Sequence, residues 1–194
     1  MKNVKMLHNT FTTLWKRVFC MLAAGSTLLT SLPVYALDFA DATVAHGDIT
    51  GQTQGLVTDI HQTSQAGIIN WGQFNIGAQE TVNFNQPNIT AITLNRVVGG
   101  DLTAIAGALN ANGNVWVVNN AGVFVQQGAQ INVGGMFLAA AMSVEDSDFL
   151  AGKLKFSDKD GLGVVVNEGA ITAGKVALLG GAVVNAGTLT APNV

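Results

Sequence analysis

The chain has 194 residues, 48% of them hydrophobic and only 11% charged, with 23 glycines, a single cysteine and a formal net charge of −3. It lacks the basic stripe that a nucleic-acid partner needs, and it is too rich in Val, Ile and Leu to be disordered. In chain order, residues 1–36 read as a signal peptide outside the fold. Lys2, Lys5, Lys16 and Arg17 form a positive n-region and residues 18–32 an apolar h-region. Val34-Tyr35-Ala36 is a small-x-small cleavage site, so cleavage falls between Ala36 and Leu37. The alternative is a membrane anchor, but an apolar run of about 15 residues is short for a span of ~20. Cleavage leaves residues 37–194 with five basic and twelve acidic residues, a net charge of about −7, and no cysteine. Disulfides are therefore excluded in an exported chain, and nothing cross-links it during passage through a narrow pore.

Helix signals are nearly absent from the mature part. Strand-like runs between Gly and Asn fall at residues 81–85, 91–98, 114–119, 123–126, 129–133, 163–167, 170–173, 175–179, 182–185 and 188–191. Asn112-Gly113 and Asn119-Asn120-Ala121-Gly122 are turn signals. Residues 101–109 read equally as a helical turn or a loop. Residues 136–142 form a continuous apolar run, expected as a buried strand. Residues 143–159 are the most charged stretch and are expected as an excursion from the fold.

Residues 163–173 return at 181–191, with seven of eleven positions identical. A short period of this kind, rich in Val, Ile, Leu and Thr and punctuated by Asn and Gly, is the pattern of a stacked β-solenoid. One such rung cannot bury its own inner face, so rungs stack with Val, Ile and Leu inward and Asn and Gly at corners. About five or six rungs of ~20 residues fit between residue 81 and the end. An antiparallel sandwich uses similar short strands and is the competing architecture.

Four segments together carry a family signature. They are Ile69-Asn70-Trp71-Gly72-Gln73-Phe74-Asn75-Ile76-Gly77, followed by Val82-Asn83-Phe84-Asn85-Gln86-Pro87, then Ala91-Ile92-Thr93-Leu94-Asn95-Arg96-Val97-Val98-Gly99. Next come Asn112-Gly113-Asn114-Val115-Trp116-Val117-Val118-Asn119-Asn120-Ala121-Gly122-Val123, with Gly128-Ala129-Gln130-Ile131-Asn132-Val133-Gly134-Gly135 behind it, and Asp148-Phe149-Leu150-Ala151-Gly152. Their order and spacing resemble the secretion domain of two-partner secretion exoproteins, the filamentous-haemagglutinin-like adhesins and haemolysins of Gram-negative bacteria. The resemblance covers nearly all of the mature chain. It implies an all-β fold, a right-handed parallel β-helix with an N-terminal strand cap. It also implies export to the periplasm and passage through an outer-membrane β-barrel transporter whose periplasmic domains recognise this region. The chain would then fold at the cell surface as a secretion module with no cofactor and no catalytic role. Contact with a host-cell surface would reside in downstream repeats. The family usually continues far beyond this domain, so the chain is expected to be a truncated or fragmentary exoprotein. Where the family has Asn-Pro-Asn-Gly, this chain has Asn119-Asn120-Ala121-Gly122, and without proline to fix φ the turn is expected to be looser.

The secretion-motif candidates are Asn70, Trp71, Phe74, Asn75, Asn95, Arg96, Asn119, Asn120 and Gly122. For Asn95 and Arg96 the alternatives are transporter contact or, for Arg96, a tie between the cap and a nearby carboxylate. For Asn119 and Gly122 they are recognition or simple turn geometry. Glu145, Asp146 and Asp148 read as a solvated acidic loop. Asp158, Asp160 and Gly161 echo a calcium loop that lacks its bidentate Glu, because Asn167 stands there. Asn88-Ile89-Thr90 matches a glycosylation sequon, read as incidental. His46 and His61 accompany no nucleophile pattern. Two other readings are a β-helix enzyme on polysaccharide, which needs the carboxylates to converge in a groove, and an autotransporter passenger, which needs its own barrel.

Overall fold

The computed structural model describes residues 37–157 and 163–192. The expected signal peptide with Ala36 lies outside the described residues, as do Asp158, Asp160 and Gly161 of the calcium-like run. Leu37 is described and buried. After a 3-10 turn at Phe39–Asp41 come β1 (Ala42–His46), β2 (Ile49–Gln54), β3 (Val57–Gln62) and β4 (Ala66–Trp71). There follow β5 (Thr81–Asn85), β6 (Ile92–Val97), β7 (Thr103–Ile105), β8 (Ala108–Ala111), β9 (Asn114–Val118), β10 (Val123–Val125) and the long β11 (Gln130–Ala140). An excursion holds β12 (Ser143–Val144), α1 (Asp146–Leu150) and β13 (Phe156–Ser157). The chain then resumes with β14 (Val164–Asn167), β15 (Ala170–Leu179), β16 (Ala182–Asn185) and β17 (Thr188–Thr190).

Among the described residues the chain is all-β apart from the 3-10 turn and a five-residue helix. Its strands stack in three ladders. A tryptophan sheet contains β4, β6, β9 and the second halves of β11 and β15, with β1 antiparallel on β4. An asparagine sheet contains β3, β5, β8, the first halves of β11 and β15, and β17, with β2 antiparallel on β3. A short sheet contains β7, β10, β14 and β16, reached by a bridge from Ile76 to Ile105. Apart from β1 and β2, the pairings within these ladders are parallel, not the antiparallel pairings of a sandwich. From β5 onward the asparagine sheet runs β5, β8, β11, β15 and β17.

The sequence echo is the stacking register itself. Val165 pairs with Val183, Asn167 with Asn185 and Ile171 with Leu189, so each pair joins equivalent positions of the two copies of the repeat. Val123 pairs with Thr103 on one side and with Val165 on the other. The second step is much the longer in sequence, because the excursion is inserted between two otherwise ordinary turns of chain. Residues 101–109, expected as a helical turn or loop, contain β7 and the start of β8, a correction to that reading. So short a strand has too little sequence for a periodic signal, and it is extended because β10 pairs with it. The strands β1 to β4 carry no strand expectation from the sequence; β1 and β2 are largely exposed, so burial leaves little mark on their residues.

Inward side chains of all three ladders meet in one core. Val82, Leu109, Ile131 and Ile171 form a fully or almost fully buried column through the asparagine sheet. Trp71, Val115, Val117 and Phe137 fill the space from the tryptophan sheet, and Ile105, Val123, Val125 and Val165 from the short sheet. Each such side chain contributes about 1.5–3 kcal/mol on burial. A second cluster lies on the outer face of the tryptophan sheet. There Ile68, Leu94, Trp116, Leu138 and Ala140 are covered by Val144 and Phe149 of the excursion. Trp116 meets Phe149 edge to face at 5.2 Å and Phe156 at 5.7 Å.

Candidate functional site

The sequence motifs converge where the tryptophan sheet turns into the short sheet. After β9, Asn119 begins a four-residue turn closed by the Gly122 N–H donating to the Asn119 carbonyl at 2.9 Å. The Asn119 side chain accepts from Ala121 N at 2.9 Å and donates to the Asp101 carbonyl and the Thr103 hydroxyl, both at 2.9 Å. It is buried, and it ties this corner to the rung before it. Gly122 sits at φ 122°, and a Cβ there would lie 2.7 Å from the Val164 carbonyl oxygen, so a side chain is barred by both strain and contact. Asn120 fills the family's proline position and exchanges hydrogen bonds with the Ser143 hydroxyl at 2.8 and 3.0 Å. The turn expected to be looser is thus closed by a backbone bond and held by side chains on both flanks.

Arg96 lies one corner away on β6. Its guanidinium donates to the Asn70 side chain at 3.3 Å and to the Val144 carbonyl at 3.0 Å, and it pairs with the Asp146 carboxylate. Arg96 therefore pins the base of the excursion to the tryptophan sheet. The expected tie to a carboxylate is present, and its target is the excursion. Of the acidic run expected as a solvated loop, Glu145 and Asp146 are exposed, and only Asp148 departs from that reading. Asp148 is buried and takes Lys155 at 3.3 Å and Lys153 at 3.6 Å, because the helix α1 turns it back over the sheet. The carboxylates are thereby divided between separate cations, and among the described residues no group of three or more His, Cys, Asp and Glu could hold a metal ion.

An open groove of about 970 Å³ lies between these parts. Arg96, Asn120 and Ala121 line one side, residues 97–100 another, and residues 143–147 the base of the excursion. Val98 is 64% exposed at its rim. The motifs pointed to Arg96 and Asn120. They did not point to Ser143 or Val144, which carry no motif and reach the groove only because the excursion folds back, bringing Glu145 and Asp146 of the acidic run with them.

The other motif residues lie in the core or between rungs. Trp71 and Phe74 are fully buried and meet edge to face at 5.3 Å. Asn95 is fully buried, accepting from the Trp71 indole N–H at 3.1 Å and donating to the Trp116 carbonyl at 3.2 Å. Without those two bonds a buried amide would cost about 1–3 kcal/mol. Asn75 accepts from Ala104 N at 2.8 Å and so joins the first corner to β7. Asn88 of the sequon accepts from Thr90 N and Ala91 N at 2.9 and 3.0 Å and shapes its own turn.

A family model described as TPS secretion domain matches residues 38–194. A heme/hemopexin-binding protein of Haemophilus influenzae strain KW20/Rd is 37% identical over 160 residues, covering 78% of this chain and 18% of that protein. A second heme/hemopexin-binding protein of Haemophilus influenzae is 45% identical over 86 residues, covering 44% of this chain and 9% of that protein. The chain thus spans less than a fifth of the length of these curated relatives. The crystal structure of the HMW1 secretion domain from Haemophilus influenzae matches with a TM-score of 0.73 at 35% identity, over 76% of this chain and 41% of that one. Two-partner secretion exoproteins cross the Gram-negative outer membrane by way of a cognate transporter, and this portion of them is not enzymatic. With most of its length matched, in sequence and in fold, the chain belongs to the TPS secretion domain family.

Proposed function

We propose that residues 37–194 are the recognition and export module of an adhesin-type exoprotein. The signal peptide delivers the chain to the periplasm, and an outer-membrane β-barrel transporter recognises it there through periplasmic domains. The chain then folds at the cell surface into a right-handed parallel β-helix. The observation that carries this is the family match over residues 38–194. The three parallel ladders, in which each rung pairs with the next, support the β-helix.

Two docking modes compete. In the first, the transporter reads the chain while extended, so that Trp71, Phe74 and Asn95 are accessible to it and enter the core only after passage. In the second, it reads the folded cap by adding a strand to the outer edge of β1 or β2, since among the described strands β1 pairs with β4 alone and β2 with β3 alone. The burial of three motif residues favours the first mode. Residues 70–88 contribute Trp71, Phe74, Ile76, Val82 and Phe84 to the core, so deleting them destroys the fold and cannot separate the modes.

The test is secretion of residues 1–194 from a Gram-negative host with and without a candidate transporter, followed by binding of the transporter's periplasmic domains to unfolded and refolded chain. Transporter-dependent appearance in the medium is expected, with tighter binding to the unfolded chain. Equal secretion without any transporter would sink the proposal. Binding to the refolded chain alone would assign recognition to the cap edge. The heme and hemopexin binding named for the two relatives is a property of proteins far longer than this chain and forms no part of the proposal.

A further inference from the structure

The outer face of the asparagine sheet carries a column of side chains joined from rung to rung. Asn83 donates to Asp59 at 2.9 Å, Asn110 to Asn83 at 3.0 Å, and Asn132 to Asn110 at 3.2 Å. The same register continues to Thr172 and Thr190. The column is half-buried to exposed, and no part of the excursion covers it. A shallow depression of about 280 Å³ runs between the column and the neighbouring Asn85 and Asn112.

The remaining valences define a ligand. A primary amide has two N–H donors and two acceptor lone pairs. Asn83 and Asn110 each spend one donor and one acceptor along the column, so each keeps one of both for an outside partner. Asp59 keeps its second carboxylate oxygen. The cations of the described residues, Arg96, Lys153, Lys155 and Lys175, lie on the tryptophan sheet or the excursion and none on this face. A sulfated or otherwise anionic chain therefore finds no lysine or arginine here, only the exposed His61 of β3 beside Asn85. The groups recur at the strand spacing of about 4.8 Å. A neutral linear polysaccharide presents hydroxyls all along its length, and hydroxyls both donate and accept.

We infer that this column is a binding strip for a neutral linear polysaccharide lying along the stack. The strip is separate in space from the groove, since none of its residues lines it, although Asn83 and Asn132 stand in segments of the family signature. It gives the exported domain a surface function of its own, a weak hold on a neutral glycan matrix.

Affinity electrophoresis of the secreted chain in gels containing soluble neutral polysaccharides tests this, with linear β-linked glucan and mannan in separate gels and heparin in another. The expected result is retardation by at least one neutral glycan and none by heparin. An N83A/N110A double variant should bind at least tenfold more weakly. N132A, which removes only the last bond of the column, should bind a few-fold more weakly with unchanged circular dichroism. K153A and K155A, on the excursion, should bind as the unaltered chain does. Absence of retardation by either neutral glycan, retardation by heparin alone, or unchanged binding by a natively folded N132A and double variant would overturn the inference.

Discussion

The outer faces of the tryptophan and asparagine sheets share two long strands, β11 and β15, yet they are finished in opposite ways. One presents Ile68, Leu94, Trp116, Leu138 and Ala140 and is roofed by the excursion. The other presents Asp59, Asn83, Asn110 and Asn132, which satisfy one another, and it stays open. Both are built from parallel ladders, and the difference in their finish lies in the outward side chains. Apolar outward residues require a cover, and the chain supplies one by inserting an extra stretch between β11 and β14. Amide residues at rung spacing require none, because each finds its partner one strand away.

The comparison predicts unequal losses. Trp116→Ala removes a large buried ring beneath Phe149 and Phe156 and should cost about 3–5 kcal/mol. Asn110→Ala, at the centre of the open column, should cost about 1 kcal/mol. Urea midpoints of the two variants measure this, and equal shifts would break the contrast between a face that must be covered and one that need not be. Gly122→Ala acts at the corner of the tryptophan sheet, where the left-handed backbone and the Val164 carbonyl exclude a side chain, and should lower stability by about 1–3 kcal/mol.

Arg96→Met tests whether the roof is a separable unit. The ion pair with Asp146 is half in solvent and contributes little. The bond to the Val144 carbonyl contributes about 1 kcal/mol. Hydrogen exchange of residues 143–157 should quicken several-fold while the asparagine sheet keeps its protection; uniform quickening would mean that roof and stack open together. The smallest effect is expected for Trp116→Phe. The indole N–H of Trp116 is buried with no hydrogen-bond partner, which costs about 1–3 kcal/mol. Replacing it with an apolar ring loses some area and relieves that cost, so the midpoint should move little. A loss as large as that of the alanine variant would show that the indole is held by something other than packing.

Much of this could be read from the sequence because it is local or repeated. The runs at 81–85 and 182–185 coincide with β5 and β16, as alternating or continuous apolar residues bounded by Asn and Gly leave few alternatives. The strands β1, β2 and β7 were not legible. They are short or polar, and only a neighbour's ladder makes them extended. Part of the groove was legible as well. The motifs contain Arg96 and Asn120, but the acidic run 145–148 looked like a solvated loop. The docking of that run depends on Phe149 and Phe156 finding Trp116, far earlier in the chain, and charge content says nothing about that.

The order of amino acids was enough to establish the family signature, the build from short strands, and the echo between the last two rungs. Those properties follow from hydrophobic runs, turn residues and internal likeness, each of which is read within a short window or a single period. Which residues share a column is instead a property of the folded stack. The step from one rung to the next is uneven, since Val123 follows Thr103 closely in the chain but meets Val165 only after the excursion. No fixed period therefore predicts that Asn83, Asn110 and Asn132 align, or that Arg96 meets Asp146. Those meetings follow from where the excursion is inserted and how it docks, and that is set by apolar burial summed over the whole outer face.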